Sequence, residues 1–171
     1  GKKVQEMEKF FAKFFKVKYA ISVNSWSSGL ICALGAINLD PGDEVILPTW
    51  TMSACSSAIL HWNAIPIFAD IDEETLCIDP KSILNNISHK TKAIMAVDIS
   101  GKSSNLKEIN KIAKKFKLKV LEDNCESMGA KYGKKYLCNI GDAGVVSFDY
   151  GKTITCGEGG MILTNKKYID K

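Results

Sequence analysis

The chain has 171 residues, 46% of them hydrophobic and 25% charged, with a formal net charge of +4. That length supports one sizeable core, and the balance is that of a globular domain rather than a disordered or fibrous chain. No apolar run approaches the ~20 residues a bilayer span needs, and the opening GKKVQEMEKFF is charged from its start, unlike a secretory leader.

Apolar residues recur at helical spacing through Val4, Met7, Phe10, Phe11 and Phe14, which predicts a helix over residues 4–15. A short strand is expected at 20–23 and a helix at 27–37, closed by the turn Asp40-Pro41-Gly42-Asp43. Residues 44–47 read as a strand ending at Pro48, 52–62 as a helix of small and apolar residues, and 65–69 as a strand. A short helix follows Asp79-Pro80, then a strand at 92–97, an amphipathic helix at 105–116 and a strand at 119–123. Gly-punctuated segments come next, with strands at 143–148 and 160–163, before the sequence stops abruptly at Lys171.

Strands alternate with helices throughout, which predicts an α/β layered domain with a mostly parallel sheet. Nearly continuous apolar strands such as AIMAV fit a sheet buried on both faces. In such sheets ligands bind beyond the carboxyl ends of the strands. The lysines from Lys107 to Lys119 lie on a helix and its exit, with Phe116 alone interleaved, and read as a solvated face rather than a nucleic-acid surface. Cys32, Cys55, Cys77, Cys125, Cys138 and Cys156 form no CxxC pair and have no His at metal-ligand spacing. They read as free thiols of a reducing cytoplasm, with no metal site expected.

Three features carry chemistry. Asn24-Ser25-Trp26-Ser27-Ser28-Gly29 joins a strand to a helix start, where free N–H groups, the helix dipole and hydroxyls suit an anion; plain N-capping by Ser25 or Ser27 explains the serines equally. Glu122-Asp123-Asn124-Cys125-Glu126 ends a buried strand, so Asp123 either faces a ligand crevice, where it can pair with a cationic ring nitrogen, or caps the next turn. Lys152 stands in a segment rich in Gly, Thr and Ser, after Ser147-Phe148 and before Gly157-Glu158-Gly159-Gly160; it is an imine-forming amine or one exposed lysine among many. Taken in order, the three supply what pyridoxal phosphate (PLP) needs: a phosphate site, a ring-nitrogen partner and an amine for its aldehyde.

The residues resemble the DegT/DnrJ/EryC1/StrS sugar aminotransferases over almost the whole chain, through NSWSSGL, PGDEVILPTWTMSA, NAIPIFADID, TKAIMAV, LEDNCESMGA, IGDAGVVSF and GKTITCGEGGMILTN. The resemblance implies the three-layer α/β/α large domain of a type I PLP-dependent transferase. Residues 1–171 would be its cofactor-binding part, with the small C-terminal domain absent. It implies that Lys152 holds PLP covalently, that Asp123 pairs with the ring nitrogen, that Ser25, Trp26, Ser27, Ser28 and Ser147 hold the phosphate, and that Met52 and Glu126 lie against the ring. Departures are Trp26 in place of a small residue, Met52 in place of a stacking aromatic, Asp98 where many relatives have His, and acidic Glu126 where Gln or His is usual.

The activity implied is amino transfer from an amino acid, glutamate in the family pattern, to a keto group of a nucleotide-linked sugar, for surface polysaccharide or amino-sugar biosynthesis. The setting implied is a cytoplasmic homodimer whose active sites lie at the subunit interface. A branch of the family dehydrates the sugar and carries His at the lysine position, which Lys152 argues against. A non-catalytic PLP- or sugar-nucleotide-binding module is the alternative of a different class.

Overall fold

The structure, a computed structural model, describes residues 1–170. Helix α1 (Lys2–Phe15) ends where Lys16 turns left-handed, and strand β1 (Tyr19–Val23) follows. Ser25 caps α2 (Trp26–Ala36) by accepting from the Ser28 N–H at 3.1 Å. Next come β2 (Glu44–Pro48), α3 (Ser53–Leu60) and β3 (Ile65–Ala69). Asp79 caps α4 (Pro80–Asn86), whose first residue is a proline, placed where its missing N–H is no loss. Then follow β4 (Thr91–Val97), a 3-10 turn (Ile99–Gly101), α5 (Leu106–Phe116) and β5 (Lys119–Asp123). A small hairpin of β6 (Lys131–Tyr132) and β7 (Lys135–Tyr136) precedes β8 (Ala143–Ser147) and β9 (Gly160–Thr164).

The predicted elements are all present, with shifted ends. The helix expected from Met52 to Trp62 is shorter, because Met52 is its N-cap and has no side-chain oxygen with which to hold the first turn. The β6–β7 hairpin was not anticipated: strands of two residues are too short to display an alternation.

Seven strands form the main sheet in the order β1-β9-β8-β5-β4-β2-β3. Neighbours are parallel except at β9, which runs against both β1 and β8. Side chains alternate between two buried faces. Val45, Leu47, Ala93, Met95, Leu121, Val145 and Ile162 pack with α2 and α3. Ile46, Ile94, Ala96 and Val120 face the opposite way, against α4 and α5. Val146, Met161 and Leu163 continue that second face beneath Phe11 and Phe15 of α1. The result is the three-layer α/β/α arrangement, with both sheet faces covered.

This topology gathers the chemical segments at one edge. The carboxyl ends of β1, β5 and β8 lead into the serine turn, Asp123 and Ser147 respectively. Because β9 is reversed, its first residue lies at the same edge: Gly160 pairs with both Val23 and Ser147.

Candidate active site

A cavity of about 240 Å³ opens at this edge, with Ser25, Trp26, Ser27, Met52, Ser147 and Lys152 in its walls. Trp26 and Ser27 are the first two residues of α2, where N–H groups have no carbonyl one turn back and the dipole favours an anion. Ser28 stands one step behind, its N–H and Oγ both engaged with Ser25 Oγ, at 3.1 and 3.0 Å. The serine turn is therefore a helix cap and an anion-competent wall at once, so the two sequence readings of it are compatible.

Gly160 explains part of the GEGG segment. A Cβ there would lie 2.7 Å from the Trp26 nitrogen and 2.8 Å from the Ser25 carbonyl, so only glycine lets β9 begin against the turn. Gly157 has a left-handed φ of 90°, which marks the bend that brings Glu158 and Gly159 back to the cavity. Lys152 is half-buried in a turn held by its own N–H donating to the Asp149 carbonyl at 3.0 Å. Asp149 and Glu158 share its cavity wall. Ser147, at the end of β8, is 2% exposed and points its hydroxyl toward the Asp149 N–H at 3.3 Å.

Asp123 lies deeper, 1% exposed. Its Oδ1 accepts from the Trp26 indole Nε1–H at 2.8 Å and from the Cys125 N–H at 3.1 Å. Its Oδ2 accepts from the Cys55 thiol at 3.2 Å, and that sulfur also lies 3.0 Å from Thr51 Oγ1. Burial pushes the Asp123 carboxyl above its usual range, and these donors offset part of the shift. The thiols of Cys55 and Cys125 are pushed up as well, by burial first and by the neighbouring Asp123 second. Both therefore stay protonated at neutral pH, so Cys55 keeps a donor to offer.

Behind Asp123 is a second buried polar group. Asp98 accepts from the Ser104 N–H and from Asn124 Nδ2, each at 2.6 Å, and its backbone carbonyl accepts from Ser127 Oγ. Burial pushes the Asp98 carboxyl up to about 7, with the charge of Glu122 adding to the shift. Glu122 is fully enclosed and accepts backbone N–H bonds from Cys138, Ile140 and Gly141.

Not every expected residue joins the cavity. Glu126 is exposed and accepts from the Ser100 N–H at 3.1 Å, in an adjoining cavity of about 340 Å³ formed with Trp50, Ile99 and Ser100. Met52 is the shared wall of the two cavities and is 58% exposed. Sequence reasoning missed Cys55 and the Trp26 side chain as partners of Asp123. For Cys55 no sequence signal exists; for Trp26 the only cue was a bulky residue in a turn of small ones.

The arrangement is that of an α/β domain with an amine, an anion-competent helix start and a buried carboxylate at one sheet edge. The model of the DegT/DnrJ/EryC1/StrS aminotransferase family matches residues 1–171, and the chain belongs to that family. It is 42% identical over 169 residues to a GDP-perosamine synthase of Escherichia coli O157:H7, covering 99% of this chain and 46% of that protein. An aminotransferase from Psychrobacter cryohalolentis superposes with a TM-score of 0.97 at 36% identity, covering 99% of this chain and 43% of the other. An E. coli GDP-4-keto-6-deoxy-D-mannose-3-dehydratase with bound hydrated PLP superposes at 0.94 and 36% identity, with 99% and 45% covered. The chain thus has the large-domain fold of the type I PLP-dependent enzymes and spans a little under half the length of these relatives.

Proposed function

We propose that this chain is the cofactor-binding part of a PLP-dependent aminotransferase that moves an amino group from an amino acid, glutamate in our reading, to a keto group of a nucleotide-linked sugar. The observation that carries it is the convergence of Lys152, Ser147 and the serine turn on one cavity, with Asp123 immediately behind Trp26. The residues fit PLP at its phosphate and aldehyde ends; at the ring nitrogen its partner Asp123 is covered by the indole. The complete enzyme is a cytoplasmic homodimer with its sites at the interface, and it serves surface polysaccharide or amino-sugar synthesis.

PLP bound here supplies an aldehyde that takes up the amino group and an electron-poor ring that draws electrons from the donor's α-carbon. Lys152 would hold the cofactor's aldehyde covalently, and as a free amine it would take the proton from the donor's α-carbon as general base and return one as general acid. The N–H groups of Trp26 and Ser27, with the hydroxyls of Ser25, Ser27 and Ser147, grip the phosphate and so set the orientation of the ring. Asp123 keeps the ring nitrogen protonated; a cation there also relieves the cost of a carboxylate buried without one. Met52, in the cavity wall, would offer its thioether to the ring.

Lysine at position 152 favours amino transfer over the dehydration performed by the structurally similar E. coli enzyme. The test uses the protein at its natural length. Borohydride reduction with PLP should fix the cofactor to the wild type and not to Lys152→Ala, which should lose about 10²- to 10⁴-fold in turnover. Equal fixation in both would remove Lys152 from its role.

A further inference from the structure

We propose that the Trp26 indole is an internal stand-in for the cofactor ring: it holds Asp123 while the site is empty and must swing aside for the ring to reach that carboxylate. This rests on the PLP reading above.

The geometry supports it in three ways. Trp26 lines the cavity that contains Lys152 and Ser147, whereas Asp123 does not, and the Trp26 indole is what joins this wall to the carboxylate. The bond is direct, Nε1–H to Oδ1 at 2.8 Å. With the Cys125 N–H at 3.1 Å it occupies both lone pairs of that oxygen, and the other oxygen faces the Cys55 thiol. Finally, an indole and a protonated pyridine present the same thing to a carboxylate, one in-plane N–H on a flat ring. The first satisfies Asp123 as the second would, and the two cannot use one site together.

The reason for a stand-in is physical. A carboxylate enclosed this deeply is costly without donors. A small residue at position 26 would leave Asp123 short of one until the cofactor arrived. The position also joins two tasks in one residue. The Trp26 N–H belongs to the anion-binding start of α2, fixed in place by Gly160, while its side chain covers Asp123. Phosphate docking at the backbone and displacement of the side chain are therefore adjacent events.

The test again uses the protein at its natural length, as wild type, Trp26→Phe and Trp26→Gly, with PLP as the probe. In ¹⁵N-labelled protein the Trp26 indole N–H, assigned by its absence in Trp26→Phe, should be shifted downfield and protected from exchange without PLP. With PLP bound it should lose both properties. The observed rate of PLP binding should level off with concentration in the wild type. Trp26→Phe keeps the ring volume but drops the hydrogen bond, and should raise that plateau about tenfold; Trp26→Gly should bind at a rate linear in PLP. A protected Trp26 N–H that persists in the PLP complex would overturn the proposal and leave the cofactor reading intact. Binding by Trp26→Gly alone would also overturn it, since the indole would then bar the ring instead of yielding to it. Failure of all three proteins to bind PLP would remove the cofactor reading and the stand-in with it.

Discussion

Glu122 and Asp123 are neighbours on β5, both enclosed, yet they are held in opposite ways. Glu122 is caged by three backbone N–H groups of the segment from Cys138 to Gly141, which pins that segment ahead of β8. Asp123 takes two of its three hydrogen bonds from side chains, Trp26 and Cys55. Backbone donors cannot leave without unfolding the loop, whereas side chains can rotate away. Of two adjacent buried carboxylates, then, one is held by a fixed part of the scaffold and the other mostly by groups that are free to rotate.

Replacing Asp123 by Asn should strike function and spare the fold. Turnover with PLP should fall about 10²- to 10³-fold, the range seen when one stabilising group is removed from a charged centre. Its stability in urea should stay within about 1 kcal/mol of wild type, because the amide can donate to the Cys55 sulfur and carries no buried charge. Glu122→Ala should do the reverse: three stranded N–H groups should cost at least about 3 kcal/mol in the same titration. Glu122→Gln, which keeps an oxygen for Ile140 and Gly141, should lose less. If the two positions gave similar unfolding curves, the distinction between fixed and exchangeable carboxylates would fail.

Asp98 sharpens the comparison through pH. Its carboxyl is raised to about 7 in the folded chain, against about 3.9 in an unfolded one. Below the lower value both states are protonated and the contribution to stability is complete. Between the two the unfolded chain ionises while the folded one retains its proton, so stability declines and the contribution is gone above about pH 7. The loss should be on the order of a few kcal/mol. Asp98→Asn should flatten that slope without abolishing it, since Glu122 and Asp123 are shifted in the same direction. A wild-type stability independent of pH from 4 to 7 would contradict the burial of these groups as charged-or-protonated carboxyls.

The smallest effect is expected at Met52. It is mostly exposed at the rim, so Met52→Ala should leave stability within about 0.5 kcal/mol and weaken PLP binding only a few-fold, measured by absorbance titration. A large loss would mean that the rim, rather than the Asp123 floor, dominates the grip on the ring.

Much of this was legible from residues alone. The nearly continuous apolar strands at 44–47 and 92–97 and the helical spacing in 105–116 appear where expected, because a strand buried on both faces and an amphipathic helix write their surroundings into local order. The serine turn, Asp123, Ser147 and Lys152 were recognisable as a set because each follows or ends a strand, and a mostly parallel sheet brings strand ends to one edge. Glu126, which the resemblance implies lies beside the cofactor ring, sits in the neighbouring cavity beside Ser100, a position that only the folded chain defines.

The amino-acid sequence by itself determined the layered α/β class, the order of the strands along the chain and the family, and it singled out the segments proposed to carry chemistry; all of these rest on patterns a few residues long. Only the tertiary structure decided what those segments do to one another. Trp26 and Asp123 are 97 positions apart, and Cys55 is 68 from the same carboxylate. No local periodicity encodes such contacts, because they exist only once α2, α3 and β5 have been stacked around a common core and a buried carboxylate has to find its donors wherever folding has placed them.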